Sequence, residues 1–154
     1  MDLTRFPLPR IAVLLALLLV VAGCRMGNKR TGTVGPVDAD APSEFTTTSS
    51  GLKYRILRRS DGPHPTASSD VTVDYVGWLD DGTEFDSSYE RKQPTTFNLS
   101  EVVPAWTEGI PLVGEGGMIE LEVPSQLGYG SRGVPGTIPP GATLHFKVEL
   151  HNVH

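Results

Sequence analysis

The sequence predicts an α+β domain in which an antiparallel sheet, wet on one side, carries a single short helix against the other. Three observations lead there. Beyond Gly51, five stretches alternate apolar with polar residues at a period of two, the pattern of strands with one buried face. An Asp81-Gly82 pair sits between Leu79 and Phe85, where a hairpin turn belongs. Only one stretch, PAWTEGI from Pro104, has the makings of a helix.

In chain order, LKYRILR (52–58) is the first alternating run, and VTVDYVGWL (71–79) follows with Val71, Val73 and Tyr75 on one face. The Asp81-Gly82 turn then reads as type I′, because glycine adopts the required positive φ at little cost. TTFNL (95–99) is the third run. Pro104 can open a helix, since the N–H it lacks would be unpaired in the first turn. Pro111 ends it by removing a donor and crowding the preceding turn. Two turns are not stable alone in water, so this helix must bury a face on the sheet. MIELEV (118–123) places Ile119, Leu121 and Val123 on one side, and TLHFKVELH (143–151) does the same with Leu144, Phe146, Val148 and Leu150. Such clean alternation favours antiparallel pairing with one solvated face.

Upstream, Arg5 and Arg10 precede the apolar run IAVLLALLLVVA (11–22). It is shorter than the roughly 20 residues of a spanning helix and reads as the core of a signal peptide over residues 1–23. Val21-Ala22-Gly23-Cys24 resembles a bacterial lipobox, which implies that Cys24 is lipidated and becomes the mature N-terminus. By the same resemblance, Arg25 in place of aspartate points to the outer membrane, facing the periplasm, of a double-membrane bacterium. With one membrane, the outer face of the cell membrane is expected. Cys24 is the sole cysteine, so no intramolecular disulfide can staple the domain. Arg25 to Ser50 is dominated by Gly, Thr, Ser, Pro and Asp and reads as a flexible tether spanning roughly 25–31 Å as a coil. The expected division is therefore 1–23 signal peptide, 24–50 lipidated cysteine and linker, and 51–154 folded domain.

Composition and motifs exclude several classes of chemistry. The chain is 38% apolar and 20% charged, a globular balance. Its formal charge is −5 and its thirteen Lys and Arg are scattered, so no basic stripe invites nucleic acid. Gly128, Gly130 and Gly133 spell G-x-G-x-x-G, but a dinucleotide site needs a strand before the first glycine and a helix after the last. Val134-Pro135-Gly136 and Ile138-Pro139-Pro140 follow, where no helix can start. The segment reads instead as a long stiffened loop, a common carrier of function on a sheet scaffold. His64, His145, His151 and His154 lie apart with no cysteine or carboxylate cluster beside them, so neither a metal nor a cofactor is expected. No serine stands in G-x-S-x-G, and Cys24 is committed to the anchor, so nucleophilic catalysis is not expected. What remains is an apolar set, Tyr75, Phe85, Phe97, Val102, Val103, Trp106, Tyr129, Ile138 and Phe146, with Asp86 directly after Phe85. Periodicity alone reads these residues as an ordinary small core.

Three segments change that reading. VDYVGWLDDGTEFDSSYER (73–91), VVPAWTEGI (102–110) and GYGSRGVPGTIPPGATLHFKVEL (128–150) closely resemble the FKBP-type peptidyl-prolyl cis-trans isomerases. The likeness runs from about Gly51 to His151 with matching order. It implies a five- or six-stranded antiparallel sheet wrapped on one short helix, with an apolar pocket between them that accepts a proline ring. Carried over, Trp106 would be the pocket floor, with Tyr75, Phe85, Phe97, Val102, Val103 and Phe146 around it. Asp86 and Tyr129 would be polar groups at the rim, with Arg91 held by Asp86. Ile138 would belong to a loop arching over the pocket, and the Val103 N–H would hold a substrate carbonyl.

The resemblance also implies the partners: proline-containing unfolded or partly folded polypeptides as substrates, and macrolides as candidate inhibitors. The single small domain favours a monomer. The short segment between Phe97 and Val103, together with Thr95, Pro111 and Val134, departs from the eukaryotic single-domain pattern in ways that bear on macrolide affinity and sequence preference. The alternative reading is a proline-binding module or holdase chaperone with little or no isomerase activity.

Overall fold

Two ten-residue strands, β3 (Asp70–Leu79) and β7 (Leu144–Val153), pair antiparallel along almost their whole length and form the middle of the fold. They belong to a computed structural model that describes residues 33–154. The signal peptide expected over residues 1–23, and Cys24, lie outside the described residues. Around the central pair stand β1 (Thr46–Thr47), β2 (Lys53–Arg58), β4 (Glu84–Ser87), β5 (Thr95–Asn98) and β6 (Met118–Val123). All pairs are antiparallel, in the order β1-β2-β6-β7-β3-β4, with β5 also pairing β3. The seven strands exceed the expected number because the two-residue β1 comes from the segment read as tether.

The alternation read from the sequence sorts the faces. Val71, Val73, Ile119, Leu121, Val123, Val148 and Leu150 are fully buried, and with Tyr75, Leu144 and Phe146 they form the core face of the sheet. The helix α2 (Pro104–Gly109) lies against that face and buries Ala105, Trp106 and Gly109. Pro104 stands at its start as expected, and a single 3-10 turn, Ile110–Leu112, carries Pro111 at its end.

Four expectations are corrected. The turn after β3 is not type I′. Gly82 is its sole residue with positive φ (84°), the Gly82 N–H donates to the Leu79 carbonyl, and the Leu79 N–H to that of Thr83. This is a three-residue loop in which Gly82 takes the left-handed position, and the Asp81 side chain accepts from the Thr83 N–H. Second, one turn of helix, α1 (Ser88–Arg91), follows β4, capped by the Ser87 side chain.

Third, the tether is not free over residues 33–50. The Asp38 N–H donates to the Leu57 carbonyl at 2.8 Å, and the Arg55 and Arg58 guanidinium groups donate to the Ser43 and Pro36 carbonyls at 2.7 and 3.0 Å. Arg55 also lies 4.7 Å over the Phe45 ring. The segment is a strap along the outer face of the sheet, and β1 is its end.

Fourth, that outer face is not simply wet. Glu149 is 5% exposed and is paired with Arg58 at 2.7 Å, while Tyr89 of α1 and the Gly35 N–H donate to its other oxygen. Burial, reinforced by the Glu149 charge, pushes the Tyr89 phenol pKa up. Asp74, also buried, accepts from Ser88 at 2.7 Å and lies 2.8 Å from His151. Strap and α1 cover these acids, and each has partners, as buried charge requires.

Removing one partner of the Arg58–Glu149 pair leaves a buried carboxylate unmatched. Arg58→Ala is therefore expected to cost about 3 kcal/mol in urea unfolding. Arg59→Ala, which breaks an exposed pair with Asp40 at 2.9 Å, is expected to cost far less. Equal costs would show that the strap does not bury Glu149.

Candidate functional site

Five elements converge on one cleft above the core. β3 supplies Tyr75, β4 Phe85 and Asp86, β5 Phe97 and β7 Phe146. The turn into α2 supplies Glu101, Val102 and Val103, α2 supplies Trp106, and the loop after β6 supplies Tyr129. Together they line a cavity of about 310 Å³.

Registration explains how strand residues reach it. Gly77 stands opposite both Phe146 and Asp86 in the two ladders. A Cβ at Gly77 would lie 2.6 Å from Phe85 Cζ and 2.9 Å from Phe146 Cε1, so only glycine leaves room for the two rings that meet there edge to face. The floor is Trp106. Its indole meets Tyr75, Phe97 and Phe146 edge to face at centroid separations of 5.1, 5.4 and 5.4 Å. Such contacts add about 0.5–1.5 kcal/mol each to area burial. The indole N–H is buried and has no hydrogen-bond partner among the described residues.

The rim holds the polar groups. Tyr75 Oη donates to Asp86 Oδ2 at 2.5 Å, Arg91 Nη1 donates to Asp86 Oδ1, and Arg91 Nη2 donates to Tyr75 Oη at 2.9 Å. Burial, aided by the hydrogen bond to Asp86, pushes the Tyr75 phenol up to about 12. Partial burial works against the Asp86 carboxylate, but the bonds from Tyr75 and Arg91 and the guanidinium charge outweigh it and hold its pKa below the ordinary aspartate value. Tyr129 is 41% exposed, its phenol is raised by burial and then by the Asp86 charge, and its hydroxyl has no hydrogen-bond partner among the described residues. The Val103 N–H, at the N-cap of α2, is likewise unpaired, as helix starts leave such donors.

The cleft thus brings together Tyr75, Phe85, Asp86, Phe97, Val102, Val103, Trp106, Tyr129 and Phe146, residues that periodicity alone reads as core and that the family resemblance places around one pocket. Two expected residues do not line it. Ile138 is 5% exposed and packed into the core, where it closes the 128–141 loop through paired hydrogen bonds with Val134. Arg91 is exposed and does not line the cavity, but it holds the rim through Asp86 and Tyr75, as the resemblance implied. Glu101 was missed; its one sequence signal is its place directly before the wall residues Val102 and Val103. Among the described residues no three His, Cys, Asp or Glu side chains cluster as metal ligands.

The cleft is apolar in its floor and walls, with the Asp86 and Glu101 carboxylates and the Tyr129 hydroxyl among its lining groups, the form of a binding pocket for a largely apolar ligand. The sequence profile of the FKBP-type peptidyl-prolyl cis-trans isomerases matches residues 62–151, and the chain belongs to that family. It is similar to the isomerase FkpA of Escherichia coli K12, at 49% identity over 107 residues, covering 70% of this chain and 39% of the relative. The FK506-binding protein of Neisseria meningitidis serogroup C is 47% identical over 100 residues, 64% of this chain and 92% of its own length. The crystal structure of FkpA from Escherichia coli superposes with a TM-score of 0.70 at 46% identity, covering 73% of this chain and 52% of that one. The chain therefore spans less than half the length of the FkpA sequence it matches.

Gly77→Ala tests the geometry of the walls. The methyl group must displace the Phe85 or Phe146 ring, so the expected outcome is a loss of about 1–3 kcal/mol in stability together with a changed Trp106 fluorescence. A folded Gly77→Ala protein with unaltered stability and emission would mean that these rings do not meet as described.

Proposed function

We propose that this chain catalyses cis–trans isomerisation of X–Pro bonds in unfolded or partly folded exported polypeptides, while a lipid on Cys24 holds it at a membrane surface. The observation that carries the catalytic reading is an apolar cavity floored by Trp106, with the unpaired Val103 N–H and Tyr129 hydroxyl at its rim. The export reading rests on the signal-peptide pattern of residues 1–23 and the Val21–Cys24 motif. An outer-membrane position, a monomeric state and competition by macrolides that fill the same cavity belong to the same proposal.

Rotation about an X–Pro bond meets a barrier of about 18–20 kcal/mol because twisting removes amide resonance. The planar amide is more dipolar than the twisted one. Moving it from water into an apolar cleft therefore disfavours the ground state relative to the top of the barrier. The proline ring seats against Trp106, and the Val103 N–H and Tyr129 hydroxyl hold carbonyls in the twisted geometry better than in the planar one. No proton need be transferred. Asp86 serves by fixing Tyr75 and Arg91, and its charge sets the field at the rim.

The rate of a Leu-Pro peptide followed by exchange NMR is expected to rise on adding the folded domain, residues 33–154 included. Tyr129→Phe removes one neutral hydrogen bond of about 0.5–1.5 kcal/mol and should slow the reaction by at most about tenfold. A folded wild-type domain that gives no acceleration would refute the enzyme reading.

The pH profile supplies an independent check. Asp86, with its pKa depressed, stays ionised until the pH falls below the ordinary aspartate value, and Tyr75 keeps its proton to about 12. Activity is therefore expected to be flat from about pH 5 to 9, with the rim arrangement lost only as acid protonates Asp86. A limb near neutrality would require a titrating group that this cleft does not contain.

A further inference from the structure

The cleft wall carries two carboxylates in different circumstances. Asp86 is matched by the Arg91 guanidinium and the Tyr75 hydroxyl. Glu101 is exposed, its backbone N–H closes a turn onto Asn98, and its carboxylate has no ion pair or hydrogen bond among the described residues. No lysine or arginine lines the cavity; Arg132 is exposed on the loop beyond Tyr129, outside the wall. The uncompensated charge of the cavity lining is therefore that of Glu101, placed directly before the wall residues Val102 and Val103.

We infer that Glu101 is a specificity-determining residue that favours proline sites flanked by lysine or arginine and disfavours those flanked by aspartate or glutamate. The inference rests on the isomerase reading and adds to it the class of substrate. A concave, low-dielectric wall concentrates the field of a single charge toward its mouth, and charge complementarity of this kind sorts partners more than it strengthens binding. Exposed pairs are weak, so the discrimination expected between the Lys and Glu peptides is about two- to fivefold. It must fade with salt, because the screening length shrinks from about 10 Å at 0.1 M to about 3 Å at 1 M.

The test uses peptides that share a Leu-Pro core and carry Lys, Gln or Glu two residues before or after it. For the wild type at low salt, kcat/KM is expected to be about two- to fivefold higher for the Lys than for the Glu peptide, with the ratio approaching one at high salt. Glu101→Gln should bring the low-salt ratio toward one and Glu101→Lys should invert it. Glu44→Gln removes the same charge beside β1, at the edge of the sheet far from β4, and should leave the ratio as it is. A ratio of one in the wild type, or a preference that survives Glu101→Gln, overturns the inference while leaving the isomerase reading intact. No acceleration even of the Gln peptide sinks both.

Discussion

An indole held edge-on by three aromatic rings ties this molecule together. Trp106 comes from α2, while Tyr75, Phe97 and Phe146 come from β3, β5 and β7. The packing that docks a helix too short to stand alone is thus the packing that floors the cleft. Edge-to-face contacts have a defined geometry, and three of them around one ring leave it little freedom to tilt. Stability and cleft shape are for this reason not separable at Trp106, whereas they are at Tyr129 or Glu101, which touch the cleft and little of the core.

Around that floor the polar groups divide by whether their needs are met inside the chain. Tyr75, Asp86 and Arg91 satisfy one another, which fixes the rim and cancels most of its charge. The Val103 N–H and the Tyr129 hydroxyl are left unmatched at the mouth. An unpaired donor beside an apolar wall suits a ligand that is itself half apolar and half amide, as a proline-containing backbone is.

Much of this was legible in the sequence. Period two located β2, β3, β5, β6 and β7 because one face of each meets the core and the other does not. Pro104 and Pro111 bounded the helix for reasons local to the chain. The cleft was legible only through family resemblance, since Tyr75 and Phe146 sit on the same strand faces as Val73 and Val148, and alternation cannot tell a wall from a core. The strap was not legible. Its composition is that of a linker, and what holds it are arginines on β2, distant in sequence, that donate to its carbonyls. Ile138 does not line the cavity, because a motif records which residues recur and not which way they point, whereas Arg91 is held by Asp86 as the resemblance implied. The type I′ reading of Asp81-Gly82 failed because the dipeptide also suits a three-residue loop that needs only one positive φ.

The strap crosses the sheet on the side away from α2. Its first described residues meet Arg58 and Glu149, whose neighbours Val148 and Leu150 point the opposite way into the core. The molecule consequently has two faces: the strap and its ion pairs occupy one, and α2 with Trp106 at the cleft floor occupies the other. Substitutions in the strap and substitutions at the cleft then act on opposite sides of one sheet, and either side can be altered without touching the partners of the other.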